Sequence, residues 1–125
     1  MIVVETQNRS GAEVDEVAAA GLARRVLAAE GVEDGELGIV FVTRGEMQEL
    51  KREHLGIDEA TDVLSFPLDV RDELPEGIPR ALGDVVLCPA VVGEEWRRAL
   101  VHGLLHLLGY GHGVEMAALE RVHAS

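Results

Sequence analysis

The sequence has 125 residues and predicts one domain over residues 1–125, because a chain of this size buries about two-thirds of its unfolded surface in a single core. Its 47% hydrophobic and 27% charged residues are typical of a globular protein. The single cysteine, Cys88, excludes an internal disulfide and favours a reducing, cytoplasmic setting. No stretch approaches the roughly 20 apolar residues of a membrane span, so we expect no membrane partner.

The charge balance is strongly acidic, with a formal net charge of −12 and one lysine, Lys51, among eleven basic residues. This balance argues against binding driven by bulk attraction to phosphates. Basic residues do occur as neighbours at 24–25, 51–52 and 97–98. A local basic patch is one interpretation of these pairs, but we expect each of them to lie on a solvated helix face.

The hydrophobic pattern predicts eight elements along the chain. They are a strand at 1–6, a helix at 13–30, a strand at 36–43, a short helix at 45–54, a strand at 62–68, a strand at 82–87, a helix at 94–108 and a final helix at 114–123. Residues 69–80 are expected to form an exposed loop. The order lacks a strict βαβ alternation and predicts an α+β fold, in which helices cover a small mixed four-stranded sheet.

Two details refine this prediction. In the first helix the apolar residues at helical spacing are Val14, Val17, Ala18, Leu22 and Val26. In the third strand, Pro67 cannot donate a backbone hydrogen bond, which favours an edge strand or a strand end.

Two histidines on the most apolar helix have the spacing of metal ligands. His102 and His106 are four residues apart, so both imidazoles lie on one helix face and can reach one ion at about 2.0–2.1 Å. Gly109 can end the helix in a left-handed conformation and bring His112 towards them. The pattern H-x-x-x-H-x-x-G-x-x-H is that of the metzincin zinc proteases. Three imidazoles and an open position are typical of a catalytic site; the alternative is three ordinary core or surface histidines.

Gly103 departs from the protease pattern. Zinc proteases have a glutamate at this position, which takes a proton from the metal-bound water. Glycine cannot do this, so we expect no peptidase activity despite the ligand spacing. Glycine also costs helix stability, about 0.8–1 kcal/mol relative to alanine, and leaves space beside the metal for a substrate or a neighbouring strand.

The chain resembles the YbeY family in three blocks: TDVLSFP at 61–67, LGDVVLCP at 82–89 and HGLLHLLGYGH at 102–112. Proteins of this family are bacterial metal-dependent endoribonucleases, also called rRNA maturation factors. The resemblance covers about residues 36–125. It is weak in the first 35 residues, where only the strand–helix order agrees.

The resemblance implies an α+β domain with the metal site at the mouth of a cleft, at the end of the central helix. It implies one zinc ion per chain, held by His102, His106 and His112. It also implies cleavage of single-stranded RNA, in 3′ end maturation of small-subunit ribosomal RNA and in ribosome quality control. The implied partners are the small ribosomal subunit and ribosome-associated proteins. A non-catalytic metal-binding ribosome-assembly factor is the alternative.

Several positions depart from the family pattern. Gly111 stands where the family usually has an aspartate, and Leu55 stands where many members have an arginine implicated in activity. Lys51 replaces an asparagine, Ala60 replaces a proline, and the segment between residues 89 and 102 is shorter than usual. The missing arginine leaves open which residue stabilises charge on the phosphate.

The other roles in catalysis have several candidates. Arg52 or Lys51 is the candidate phosphate contact, and Glu115 is a candidate general base. Asp62 and Asp84 are candidates for hydrogen bonds to the histidine ring N–H groups. Each acidic residue also has a structural interpretation, as a turn cap at a strand start or as a first-turn acid that stabilises a helix N-terminus.

Three further residues have competing interpretations. Tyr110 and Trp96 could stack on bases, but we favour packing for both in a chain with only 3% aromatic residues. Cys88 is expected to be a buried strand residue rather than a fourth ligand that would close the site.

Overall fold

The structure is a computed structural model that describes residues 2–54, 63–67, 81–109 and 114–124. Its elements are β1 (Ile2–Asn8), α1 (Glu16–Ala29), β2 (Gly35–Phe41), α2 (Arg44–His54), β3 (Val63–Pro67), β4 (Ala81–Leu87), α3 (Pro89–Val92), α4 (Trp96–Leu107) and α5 (Val114–Ala124). A 3₁₀ turn, Gly93–Glu95, joins α3 to α4. The loop predicted at 69–80 lies outside the described residues.

The four strands form one mixed sheet in the order β1-β2-β4-β3. β1, β2 and β4 run parallel, whereas β3 pairs antiparallel with β4 at the edge. α1 provides the crossover that two parallel neighbours, β1 and β2, require. The predicted α+β class, the mixed four-stranded sheet and the edge position suggested by Pro67 are therefore confirmed.

Side-chain alternation gives the sheet two buried faces. On one face, Ile39 and Val85 belong to the main hydrophobic cluster, which includes the buried residues of α1 and α4. On the other face, Leu64 and Val86 pack in a smaller cluster with Met47 of α2. The sheet thus separates α2 from α1 and α4.

The first helix begins later than predicted, because Asp15 caps it. The Asp15 side chain accepts a hydrogen bond from the Ala18 backbone N–H at 2.9 Å, which satisfies a helix-end donor. The expected apolar face was wrong at Val17, which is 85% exposed. Instead, α1 presents a face rich in alanine to the core, comprising Ala19, Ala20, Leu22, Ala23, Val26 and Leu27.

The helix α2 corrects a second expectation. Lys51 is only 2% exposed and lies one turn from the equally buried Met47, so the pair at 51–52 is not wholly a solvated face. Arg52 beside it is exposed. The basic pairs at 24–25 and 97–98 are exposed, as predicted.

The short helix α3 was not predicted. Pro89 ends β4, as expected, but it also occupies the first turn of α3, where its missing N–H has no helical partner to lose. α4 therefore begins at Trp96 rather than at residue 94. None of the described helices is long and apolar enough to cross a membrane.

Candidate active site

The helix α4 lies very close to β3 and β4 at Gly103. A Cβ atom at this position would lie 2.8 Å from both Val63 Cγ2 and Val85 Cγ1. The Ser65 hydroxyl donates a hydrogen bond to the Gly103 carbonyl at 2.7 Å. The space left by the glycine is thus filled by neighbouring strands, one of the two uses expected from the sequence.

His102 and His106 converge on one face of α4, as predicted. Their Nε2 atoms are 3.0 Å apart, and the ring centroids are 4.5 Å apart with an interplanar angle of 77°. Both side chains are partly buried. The two nitrogens therefore face each other at a distance that suits a hydrogen bond between them, and that is close to the separation of two nitrogens bound to one ion.

The second ring nitrogen of His102 contacts a carboxylate on α5. Glu120 Oε1 is the hydrogen-bond partner of His102 Nδ1, and Glu120 is only 8% exposed. Because an ionised carboxylate can only accept a hydrogen bond, this contact favours the His102 tautomer that carries its proton on Nδ1. In the neutral ring this leaves Nε2 as a bare acceptor directed at His106.

Glu120 is a site residue that the sequence pattern did not predict. Candidates for this role were Asp62 and Asp84. The available signal was weak: Glu120 is an isolated acid in the apolar run MAALERV, at 116–122, and its position opposite His102 depends on how α5 packs on α4.

Asp84 is on the wrong side of the sheet to contact these histidines. Successive side chains of β4 point to opposite faces of the sheet, so Val85 faces α4, whereas Val86 faces the cluster that contains Met47. Asp84 shares the face of Val86 and lies over Gly38 of β2, where a Cβ atom would overlap its Oδ1 atom. Asp84 is therefore not a partner of His102 or His106, and a hydrogen bond from His112, which lies outside the described residues, stays a prediction.

The nitrogens present fit a small cation that prefers imidazole. Zn²⁺ takes nitrogen ligands at about 2.0–2.1 Å in tetrahedral geometry, which separates two nitrogens by roughly 3.3 Å. The observed separation of 3.0 Å needs only a small adjustment. Within the described ranges no three histidine, cysteine or carboxylate side chains form a metal-binding group; His112 lies outside those ranges.

A cleft opens beside His102, with a volume of about 460 Å³. It is lined by Val63, Glu95, Arg98, Ala99, His102 and Glu120. Arg98 lies one helical turn before His102 and is exposed. The cleft therefore combines a cation and an imidazole on one helix.

Other predicted residues lie elsewhere. Arg52 is on α2, which packs on the opposite face of the sheet. Trp96 packs against the main cluster, as favoured, and the Arg97 guanidinium lies 4.4 Å from its ring centroid. Cys88 is fully buried in the smaller cluster, as expected, but it lies directly after β4 rather than within the strand. The Glu115 side chain lies outside the described part of the structure. So do six other positions singled out in the sequence: Leu55, Ala60, Asp62, Tyr110, Gly111 and His112.

Comparison with known proteins identifies the family. The sequence profile described as Endoribonuclease YbeY matches residues 4–123. This chain belongs to the YbeY family. The match includes most of the first 35 residues, where the resemblance in motifs is weak.

Several curated YbeY proteins cover nearly the whole chain. Endoribonuclease YbeY of Acidothermus cellulolyticus is 42% identical, over 95% of this chain and 84% of that protein. Endoribonuclease YbeY of Beutenbergia cavernae is 43% identical, over 86% of this chain and 82% of that protein. Among solved structures, the solution structure of TM1509 from Thermotoga maritima matches with a TM-score of 0.57 and 25% identity. That match covers 99% of this chain and 87% of the other.

Proposed function

We propose that this chain is a metal-dependent endoribonuclease that cleaves single-stranded RNA. In the cell it acts in 3′ end maturation of small-subunit ribosomal RNA and in ribosome quality control. The observation that carries the proposal is the pair of Nε2 atoms 3.0 Å apart on α4, in a family whose profile is described as an endoribonuclease.

His102, His106 and His112 would hold one zinc ion. Bound there, zinc would act as a Lewis acid that stabilises negative charge developing on the phosphoryl oxygens. His102 and His106 contribute two neighbouring nitrogens to this set from partly buried side chains of α4.

Arg98 is the residue in the cleft best suited to contact the RNA backbone. Its guanidinium can hold a phosphate through two hydrogen bonds, and it lies in the cleft that His102 lines. Arg52 remains a candidate phosphate contact, and Asp62 and Glu115 remain candidates for proton transfer or ligand orientation. Lys51 is a poor candidate, because a side chain that is 2% exposed does not reach a surface phosphate.

The proposed partners are ribosomal RNA, the small ribosomal subunit and ribosome-associated proteins. A chain with a net charge of −12 repels free RNA at long range. We therefore expect the subunit or an associated protein to present the RNA end to the cleft, in which Arg98 is the cationic side chain beside two carboxylates. The proposed location is the cytoplasm.

A peptidase function is not favoured. At position 103 the side-chain direction is occupied by Val63, Val85 and Ser65, so a glutamate there would meet the sheet. A metal-binding assembly factor without catalysis remains the alternative, and the cleavage assay below distinguishes it from a ribonuclease.

The test is complementation of a strain that lacks its own copy of the gene, using the wild type and His106→Ala. We expect wild type to restore mature 3′ ends of small-subunit ribosomal RNA and His106→Ala to leave precursors, as measured by 3′ end sequencing. Arg25→Ala, an exposed change on α1, is the matched control and should restore processing.

In parallel, purified wild-type protein should cleave a single-stranded RNA, and His106→Ala should not. Equal processing by the wild type and His106→Ala would overturn the proposal. Restored maturation without cleavage by the purified protein, after rigorous removal of contaminating nucleases, would instead favour the assembly factor.

A further inference from the structure

We propose that Glu120 is a positioning residue for the metal site: its carboxylate fixes the tautomer and orientation of His102, so that Nε2 is the nitrogen offered to the ion. The inference deepens the proposed function and rests on it for the identity of the ion. The predicted tautomer of His102, in contrast, is a property of the metal-free protein.

The first argument is the contact itself. Glu120 Oε1 and His102 Nδ1 are hydrogen-bond partners, and the carboxylate is nine-tenths buried. A buried carboxylate needs partners to offset its lost hydration, and the imidazole N–H supplies one. This contact places the proton on Nδ1 and leaves a lone pair on Nε2.

The second argument is the direction of that lone pair. His102 Nε2 faces His106 Nε2 at 3.0 Å, and two bare nitrogens at this distance require a shared proton or a cation between them. In the metal-free protein with a neutral His102 ring, this contact is satisfied when His106 Nε2–H donates to His102 Nε2. The opposite tautomer of His102 would place an N–H where the ion has to bind.

The third argument is the way α5 is held. Glu120 and His123 are three residues apart, hence neighbours on one side of α5. His123 Nε2 pairs at 3.2 Å with Oε2 of Glu30, the residue that caps the C-terminus of α1, while Glu120 pairs with His102 of α4. Leu119 packs against the main cluster. α5 is thus anchored to both helices that cover this face of the sheet, which sets the position of the Glu120 carboxylate.

The two histidine–glutamate pairs of α5 provide a matched control. Glu30 and Glu120 have nearly equal side-chain exposure, 11% and 10%, and each pairs with one histidine. Glu30→Gln alters the anchoring of α5 at a pair remote in sequence from the candidate ligands, whereas Glu120→Gln and Glu120→Ala act on His102 directly.

The experiment uses the full chain and has two readouts. Histidine ring ¹⁵N shifts of the metal-free protein report each tautomer, and titration with Zn²⁺ alone against a competing chelator reports affinity. We expect the wild type and Glu30→Gln to keep His102 protonated on Nδ1 and to bind Zn²⁺ equally within about twofold. Glu120→Ala should lose that tautomer preference and bind Zn²⁺ about 10–100-fold more weakly. Glu120→Gln, whose amide can either accept from Nδ1 or donate to it, should weaken both the preference and the affinity.

An unchanged His102 tautomer and unchanged Zn²⁺ affinity in both Glu120 variants would overturn the inference and leave Glu120 with a purely structural role. Equal weakening by Glu30→Gln would also overturn it, because it would assign the effect to docking of α5. Neither readout involves RNA. The role of Glu120 can therefore be tested even if the protein proves not to cleave RNA.

Discussion

Gly103 and Val85 approach each other so closely that a single added carbon between α4 and β4 has no space. A Cβ atom on Gly103 would lie 2.8 Å from Val85 Cγ1, and Val85 is fully buried. The short approach brings the backbone of the histidine helix onto the sheet, so this glycine fixes the position of the candidate ligands.

Gly103→Ala should therefore destabilise the protein, although alanine is the better helix former. Overpacking costs about 1–3 kcal/mol and is only partly offset by the gain of about 0.8–1 kcal/mol in helix propensity, for a net loss of up to about 2 kcal/mol. Urea denaturation measures the change in free energy of unfolding.

Gly21→Ala in α1 is the matched control for this substitution. A Cβ atom there meets nothing within 4 Å, so this variant should gain up to about 1 kcal/mol. Stabilisation by both substitutions would show that α4 moves away from the sheet at low cost.

Removing either described ligand candidate should abolish stoichiometric metal. His102→Ala and His106→Ala each remove one of two nitrogens 3.0 Å apart, so we expect bound zinc to fall below about a tenth of the wild-type level in elemental analysis. Circular dichroism should report a folded chain for both. His123→Gln, a histidine paired with Glu30, is the control and should keep its zinc. Loss of zinc from this control as well would contradict specific binding on α4.

Arg98→Ala should weaken RNA cleavage more than Arg97→Ala does. The two arginines are adjacent, exposed and equal in charge, but Arg98 lines the cleft of His102 and Arg97 lies over the Trp96 ring. Loss of one phosphate contact is worth about 1–3 kcal/mol, equivalent to roughly 5–150-fold in kcat/KM for a single-stranded RNA. Equal losses in the two variants would reveal a general charge effect without a specific contact.

Gly38 and Asp84 should be energetically coupled and should not affect the metal site. Gly38→Ala places a methyl group on the Asp84 carboxylate and should destabilise by about 1–2 kcal/mol. In the double variant with Asp84→Ala, most of this loss should be recovered, giving a coupling energy of about 1 kcal/mol by denaturation. Zinc affinity should be unchanged in all three variants, since Asp84 lies on the sheet face away from α4. Weaker zinc binding after Asp84→Ala would restore Asp84 as a candidate partner of the histidines.

Local sequence pattern is sufficient to predict the elements other than the short helix α3, and to predict that His102 and His106 share a face. Helical spacing alone places His102 and His106 on one face, because four residues make slightly more than one turn. Alternating and β-branched runs locate the strands, and Pro67 indicates an edge, since proline cannot donate within a sheet. The glycine at 103, in place of a glutamate, separates this chain from the zinc proteases on residue type alone.

Which distant side chains meet these elements depends on tertiary packing. Glu120 lies eighteen residues after His102, and its contact depends on the packing of α5 against α4, which local periodicity does not encode. Asp84 was a candidate partner of the histidines but lies on the sheet face away from α4, because the side of the sheet that α4 covers follows from the chain path. Val17 and Lys51 were misjudged for a related reason: burial depends on neighbours, so alanines form the packed face of α1 and a lysine is buried in α2.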